Sequence, residues 1–311
     1  MLDILQLPFI QNALLAGTMV AIVAALVGYF LVVRGLTFAA HALPNIGFAG
    51  AAGAVLLGLS PVTGLLAFTV AAGVVIGLLG KRVRDRDIAI GIIMALALGL
   101  GILFLSLYFG YAERVYSILF GTILGISQSD VVSTALYSLL TIGLLLLLFR
   151  VLLFTSYDPA MAEARGVPVR GVSVVFLVLT AITIALSVQV VGALLVFTLL
   201  IGPPATAMRL VQRPVWAILL AMGLGVCYTW GGIFLAATGT FWPVSFYIAT
   251  ISFAVYLPVR LLSPWWIGRK ARKRLISHPS RPVTSVQVAE VSPAMAPAAP
   301  ETAERTQGIT R

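Results

Sequence analysis

Long apolar runs separated by short polar or Gly/Pro-rich breaks make up most of the chain, and their lengths set the elements it predicts. A membrane-spanning helix needs about 20 apolar residues, because a rise of about 1.5 Å per residue must cover roughly 30 Å of hydrocarbon. Such runs lie near residues 10–33, 42–59, 62–80, 88–108, 131–154, 172–189, 191–210, 215–237 and 243–263. The pattern predicts an all-α, polytopic membrane protein of about nine transmembrane helices, or eight where Gln189 to Gly192 joins a full span to a half-helix. Ser60-Pro61 is the other soft boundary. A further piece, VYSILFGTILGIS, is too short to cross and reads as interfacial or re-entrant.

Breaks inside and between the runs carry local instructions. Gly202-Pro203-Pro204 lies deep in an apolar run, where proline removes a backbone donor and predicts a kink or break. Carbonyls freed there can line a cavity, and Thr198 and Thr206 flank the break as candidate oxygen donors; a packing kink is the plainer reading. Gly73 and Gly77 form a GxxxG, and Gly47, Gly50 and Gly53 recur every third residue, which predicts close helix approach. The polar stretch from Thr155 to Arg170 contains Asp158, Pro159, Glu163 and Gly166 in the order of a helix cap, first position, early turn and stop. It predicts a short helix between two spans, either a capped connector or a docking element for a partner.

Composition agrees with a membrane environment. Charged residues are 10% and hydrophobic residues 60% of the chain, with a mean hydropathy of +1.08, far from the balance of a soluble domain. The net charge of +10 is mostly a topology signal. With Arg34 inside, alternation through nine spans places Lys81, Arg82, Arg84, Arg86, Arg165, Arg170, Arg209, Arg213, Arg260 and the RKARKR segment on the same side, leaving Arg114 among the opposite loops. The positive-inside rule then predicts an N-terminus outside and a C-terminus in the cytoplasm of a multi-pass plasma-membrane protein. Scattered basic residues without interleaved aromatics argue against nucleic-acid binding.

The first twelve residues lack a basic start and a small-residue cleavage site, so they read as mature chain. Residues 1–264 are expected to form the transmembrane domain. Residues 265–311 read as a basic juxtamembrane segment and a disordered cytoplasmic tail, in which His278 is incidental. GRKARKR after the last span is a topology signal or an attraction to anionic membrane lipid.

Chemistry-bearing residues are sparse. His41 precedes Asn45 by four positions, so the two share a helical face if Pro44 is accommodated in the first turn. A neutral imidazole is a common metal ligand and proton carrier, whereas its plain reading is a histidine hydrogen-bonded between helices. The single cysteine, Cys227, excludes an intramolecular disulfide and a cysteine cage. No nucleophile–base constellation or HExxH occurs, so no enzyme activity and no permanently bound cofactor is expected.

Four segments together resemble one family, the permease subunits of ABC importers for zinc, manganese and iron: RGLTFAAHALPNIGFAGAAG, LFGTILGISQSD, YDPAMAEARG and VGALLVFTLLIGPPATA. Their order spans nearly the whole membrane domain. The resemblance implies a homodimer of permeases with eight or nine spans each, resting on a cytoplasmic ABC ATPase dimer and receiving cargo from an extracytoplasmic substrate-binding protein. It implies alternating access, a substrate pathway at His41, Asn45, Thr198, Pro203, Pro204 and Thr206, with His41 as the candidate metal contact, and an ATPase-coupling element at Asp158, Pro159, Glu163 and Gly166. The chain has no GxxxxGK(S/T) phosphate loop, so ATP belongs to a separate subunit.

This chain departs from the family where the pathway begins. The family's GDALSH is read here as AHALPN, putting His41 at the acid and Asn45 at the histidine. The pair is neutral, so a chelated metal or non-metal cargo stands beside free zinc or manganese. A secondary transporter or channel working without ATP, and a membrane scaffold, are the readings from other classes.

Overall fold

The computed structural model describes residues 8–79, 83–108, 121, 125–238 and 242–277. They form ten α-helices: α1 Pro8–Val33, α2 Thr37–Leu56, α3 Pro61–Leu78, α4 Val83–Leu107, α5 Gln128–Tyr157, α6 Pro159–Ala164, α7 Val169–Val191, α8 Ala193–Leu210, α9 Pro214–Ala237 and α10 Val244–Ser277. No strand occurs among the described residues. Most of VYSILFGTILGIS, together with Lys81, Arg82, Arg114 and the tail beyond Ser277, lies outside them. The chain divides into two units, Met1–Pro264 and Trp265–Arg311; every site below belongs to the first.

Eight helices are long and apolar enough to cross a membrane. The ninth expected span is α8, whose apolar stretch Leu195–Leu210 is shorter than the rest. It is cut from α7 at Gly192, a glycine at φ 88° that a side chain would strain. The break expected at Gly202-Pro203-Pro204 is absent: α8 runs as one helix through both prolines. Proline at 204 leaves the Leu200 carbonyl without its donor four residues on, and Gly28 of α1 lies directly over that carbonyl. A Cβ built on Gly28 would stand 1.7 Å from the Leu200 oxygen.

Glycine is used in the same way elsewhere. Gly50 of α2 and Gly64 of α3 face each other so closely that a Cβ on either would stand 2.2 or 2.1 Å from the other's carbonyl oxygen. Gly73 and Gly77 press α3 onto α7 at Leu177 and Val174. Where lipid tails are as apolar as the side chains, such backbone approach and its dispersion gain hold helices together. Accordingly α1, α2 and α7 are mostly buried, whereas α4, α5 and α10 have few buried residues. Leu139 and Leu147 of α5 are 70% and 78% exposed, an apolar surface suited to lipid or a partner.

At 30 residues α5 is the longest described span. At the helical rise it extends about 45 Å, well beyond the hydrocarbon core. That length accommodates Arg150, the one charge within the run 131–154: it is exposed in the last third of the helix, where a long side chain can reach toward the interface. The other end of α5 is fixed by a capping box. Asp130 N–H donates to Ser127 Oγ at 3.3 Å, and Ser127 N–H donates to Asp130 Oδ2 at 3.1 Å.

Candidate functional site: the His41 face and the α6 corner

His41 stands in the second turn of α2, and it is the sole exposed residue between Thr37 and Leu56. Pro44 is the eighth residue of α2, inside the helix and not in the first turn where the sequence placed it; its missing N–H leaves the Ala40 carbonyl without a partner four residues on, yet the backbone remains helical through the HALPN stretch. The imidazole packs edge-on against Phe197 of α8, with ring centroids 5.1 Å apart at 74°. No described residue hydrogen-bonds its ring nitrogens, so within one chain the imidazole is held by the Phe197 ring contact alone. An exposed polar ring on an otherwise buried helix is costly against lipid tails and suits a watered path or a second chain.

Asn45 is half-buried and turns back: its Nδ2 donates to the His41 carbonyl oxygen at 2.8 Å and lies 4.0 Å from Met94 Sδ of α4. The amide therefore serves the helix as well as the face that His41 opens. On α8, Phe197 and Thr198 are half-buried, whereas Pro203, Pro204 and Thr206 are buried. Thr206 Oγ1 donates to the Gly202 carbonyl at 2.8 Å, the back-bond to its own helix that satisfies a buried threonine hydroxyl. The structure thus brings Phe197 to His41, and buries the prolines and Thr206 inside the bundle. Sequence reading singled out Thr198 and passed over its neighbour Phe197, whose only signal was an aromatic ring beside that threonine.

The second feature is α6. Asp158 Oδ1 accepts from Met161 N–H at 2.9 Å, and Pro159 occupies the first turn, where its missing donor costs nothing. At the other end Gly166 has φ 80°. Its N–H reaches the Glu163 carbonyl at 2.9 Å, and Val167 N–H reaches the Ala162 carbonyl at 3.0 Å. This pair of bonds is a Schellman closure. Ala162 is fully buried and pins the helix to the bundle, while Glu163 and Ala164 are exposed and Met161 is 48% exposed. A six-residue helix is marginal alone; capped at both ends and anchored at one residue, it becomes a rigid knob.

Arg34, in the turn between α1 and α2, locks this corner. Its Nε donates to Ser156 Oγ at 2.8 Å, Nη2 to Thr155 Oγ1 at 2.5 Å, and Nη1 to Ser173 Oγ at 3.4 Å. The guanidinium carbon also lies 5.1 Å from the Phe176 ring centre. Arg86 of α4 donates from Nη2 to the Gly35 carbonyl at 2.9 Å. The α1–α2 turn, the start of α4, the α5–α6 corner and the start of α7 therefore meet at one end of the bundle. Read from sequence, Arg34 was only a topology charge, because the hydroxyls that surround it come from helices more than 100 residues away.

Among the described residues no group of three or more His, Cys, Asp or Glu side chains gathers to hold a metal ion. Cys227 is free and exposed on α9. On the α2 face, chemistry suited to a metal comes from His41 with Met94 nearby, a set without carboxylate.

The model of the ABC 3 transport family matches residues 6–263. The manganese transport system membrane protein MntC of Listeria innocua is 31% identical over 71% of this chain and 79% of its own length. The MntC of Halalkalibacterium halodurans is 30% identical over 87% of this chain and 95% of its own. The solved structure of PsaBC from Streptococcus pneumoniae in complex with Fab superposes with a TM-score of 0.74 at 29% identity, covering 83% of this chain and 93% of that one. With its eight long apolar helices and a match across almost the whole of the first unit, the chain belongs to the ABC 3 transport family as a multi-pass permease of the cell membrane.

Proposed function

We propose that this protein is the permease subunit of an ATP-driven importer that moves a divalent metal ion, or a complex of one, into the cytoplasm. The observation that carries it is α6: a doubly capped six-residue helix with an exposed outer face, in a chain without a phosphate loop. Such a knob suits docking to a separate ATPase dimer, with Asp158, Pro159, Glu163 and Gly166 setting its shape. The gathering of Arg34, Arg86, Arg165 and Arg170 at the α6 end supports a cytoplasmic placement of that end and an N-terminus outside.

Two copies would enclose a pathway between their His41 faces, with cargo handed over by a binding protein on the opposite side of the membrane. Alternating access follows if ATPase closure moves α6 and the helices clipped to it, because close glycine contacts repack in discrete steps. His41, Asn45 and Thr198 border this path; Pro203, Pro204 and Thr206 shape α8 behind it. Manganese is favoured over zinc by the names of the two MntC relatives. The neutral side chains favour a cargo that keeps some of its own ligands over a bare ion.

Proteoliposomes holding the permease with its cognate ATPase and binding protein test this reading. ATP-dependent manganese uptake is expected, with zinc as the comparison. Uptake that proceeds equally without the ATPase would overturn it in favour of a secondary transporter.

A further inference from the structure

Beside α6 lies a cavity of about 280 Å³ that the transport reading does not use. It is bounded by the α1–α2 turn, the end of α3, the start of α4, the α5–α6 corner and the start of α7. Arg34, Arg86 and Arg170 all line it, and among the described residues no carboxylate does. Asp87 Oδ1 lies 3.7 Å from Arg86 Nε without a hydrogen bond between them, and it offsets one of the three charges. Arg86 Nε is itself buried with no hydrogen-bond partner. Arg170 is exposed at the mouth, and none of the described residues pairs with it.

Arg170, exposed and unpaired among the described residues, together with Arg34 and Arg86 leaves the cavity with an excess of positive charge, which calls for an anion with several oxygen acceptors. A phosphate group fits, since guanidinium offers parallel donors to its oxygens. The volume is close to the lower limit of small-ligand sites, roughly 300 Å³, which suits a headgroup rather than a larger metabolite. The remaining wall decides the source of that phosphate. Leu36, Ile76, Leu78 and Leu79 form an apolar side, and Leu78 is 71% exposed, so the cavity passes from cations to hydrocarbon. Basic pockets between spans at a membrane surface bind lipid headgroups on this principle.

We propose that this cavity is a binding site for the phosphate of an anionic phospholipid, with the arginines on the headgroup and the acyl chains leaving past Leu78. Pro159, the first residue of α6, is part of the lining. The occupant therefore braces the corner that carries the docking knob. Binding is read on the permease alone, so it stands or falls separately from the transport reading.

The test uses the full chain in nanodiscs of phosphatidylcholine containing a minor fraction of phosphatidylglycerol. Lipid retained after transfer to detergent is quantified by mass spectrometry, with inorganic phosphate added as competitor in a second arm. Wild type is expected to retain phosphatidylglycerol preferentially. Arg170→Gln should weaken retention about fivefold, and Arg86→Gln with Arg170→Gln about 25-fold. Arg213→Gln, exposed and off the cavity, should change nothing. Because Arg170 is exposed, its variant remains informative if the double variant fails to fold. Equal retention by wild type and Arg170→Gln overturns the site. Binding of free phosphate without preference for phosphatidylglycerol overturns the lipid assignment.

Discussion

Arg34 Nε donates to Ser156 Oγ at 2.8 Å, joining the turn after the first span to the corner from which α6 projects. Neutral oxygens answer this cation: Thr155, Ser156, Ser173 and the Leu152 carbonyl surround it. Each hydroxyl already donates to its own helix, so each accepts from Arg34 at no loss of its own bond. Arg34→Ala should lower thermal stability by about 2 kcal/mol, since hydrogen bonds to a charged group contribute roughly 1.5–3 kcal/mol each and relief of burial offsets part of that. Arg34→Lys keeps the charge and loses the planar fork, so it should fall between the two. Tryptophan fluorescence on heating in detergent measures both.

The same residue fixes a pH expectation. Burial lowers the Arg34 guanidinium from its ordinary value to about 10, so the folded chain gives up this proton before the unfolded chain does. Between those values the unfolded state holds more protons and stability rises with pH; below about 10 the burial cost is present in full. The stability difference between wild type and Arg34→Ala, which cannot titrate at this position, should therefore be flat from about pH 6 to about pH 9. A difference that changes sharply within that window would show that Arg34 is paired to a group titrating there.

Coupling should depend on the two ends of α6. Asp158→Ala removes the cap bond to Met161 and should cost about 1 kcal/mol. Gly166→Ala forces a side chain into φ 80° and should cost about 1–2 kcal/mol. Neither residue contacts the His41 face, so metal binding by the isolated binding protein is unaffected. In the reconstituted complex, ATP hydrolysis should continue while the metal moved per ATP falls several-fold. A fall in both rates by the same factor would point to lost assembly instead, which size-exclusion chromatography detects.

What the sequence made legible, and what it did not, follows the range of the interactions involved. Asp158, Pro159 and Gly166 announced α6 because capping is chemistry between residues three or four apart. The eight long spans and the arginines gathered at one end followed from the cost of placing polar groups in hydrocarbon. The α7–α8 boundary followed as well, at the Gln189 to Gly192 seam; the unbroken course of α8 did not. Pro203 and Pro204 read as a kink or break, yet α8 runs through both, and Gly28, distant in sequence, packs over the Leu200 carbonyl that Pro204 leaves without its donor. The exposure of His41 on a buried helix, and the ring of Phe197 against it, were equally tertiary.

Glycines on the bundle should divide sharply by what faces them. Gly28→Ala places a methyl carbon 1.7 Å from the Leu200 oxygen, against backbone that has no rotamer to yield. It should cost about 3 kcal/mol or more and reduce the yield of folded protein. Gly99 of α4 has nothing within 4 Å of the same added atom. Gly99→Ala should leave stability unchanged or raise it by about 0.5–1 kcal/mol through helix propensity. Thermal unfolding of both variants in one detergent measures the contrast, and similar losses in the two would mean that the α1–α8 contact is not tight.

His41 allows its two roles to be separated by one pair of substitutions. Its ring meets Phe197 at 5.1 Å and 74°, a geometry that any aromatic ring of similar size can keep. His41→Phe therefore preserves the packing and removes the nitrogens, while His41→Ala removes both. If the nitrogens meet cargo, both variants should lose uptake to a similar extent, on the order of tenfold for the loss of about 1.4 kcal/mol of interaction. Phe should retain wild-type thermal stability and Ala should lose about 1 kcal/mol, the scale of one aromatic contact. Normal uptake by His41→Phe would instead make the ring a packing element that holds α2 to α8. Replacement by Gln, which keeps a polar tip but not a metal-ligating imidazole, then distinguishes a hydrated path from a coordinated ion: uptake restored by Gln means the path requires polarity alone.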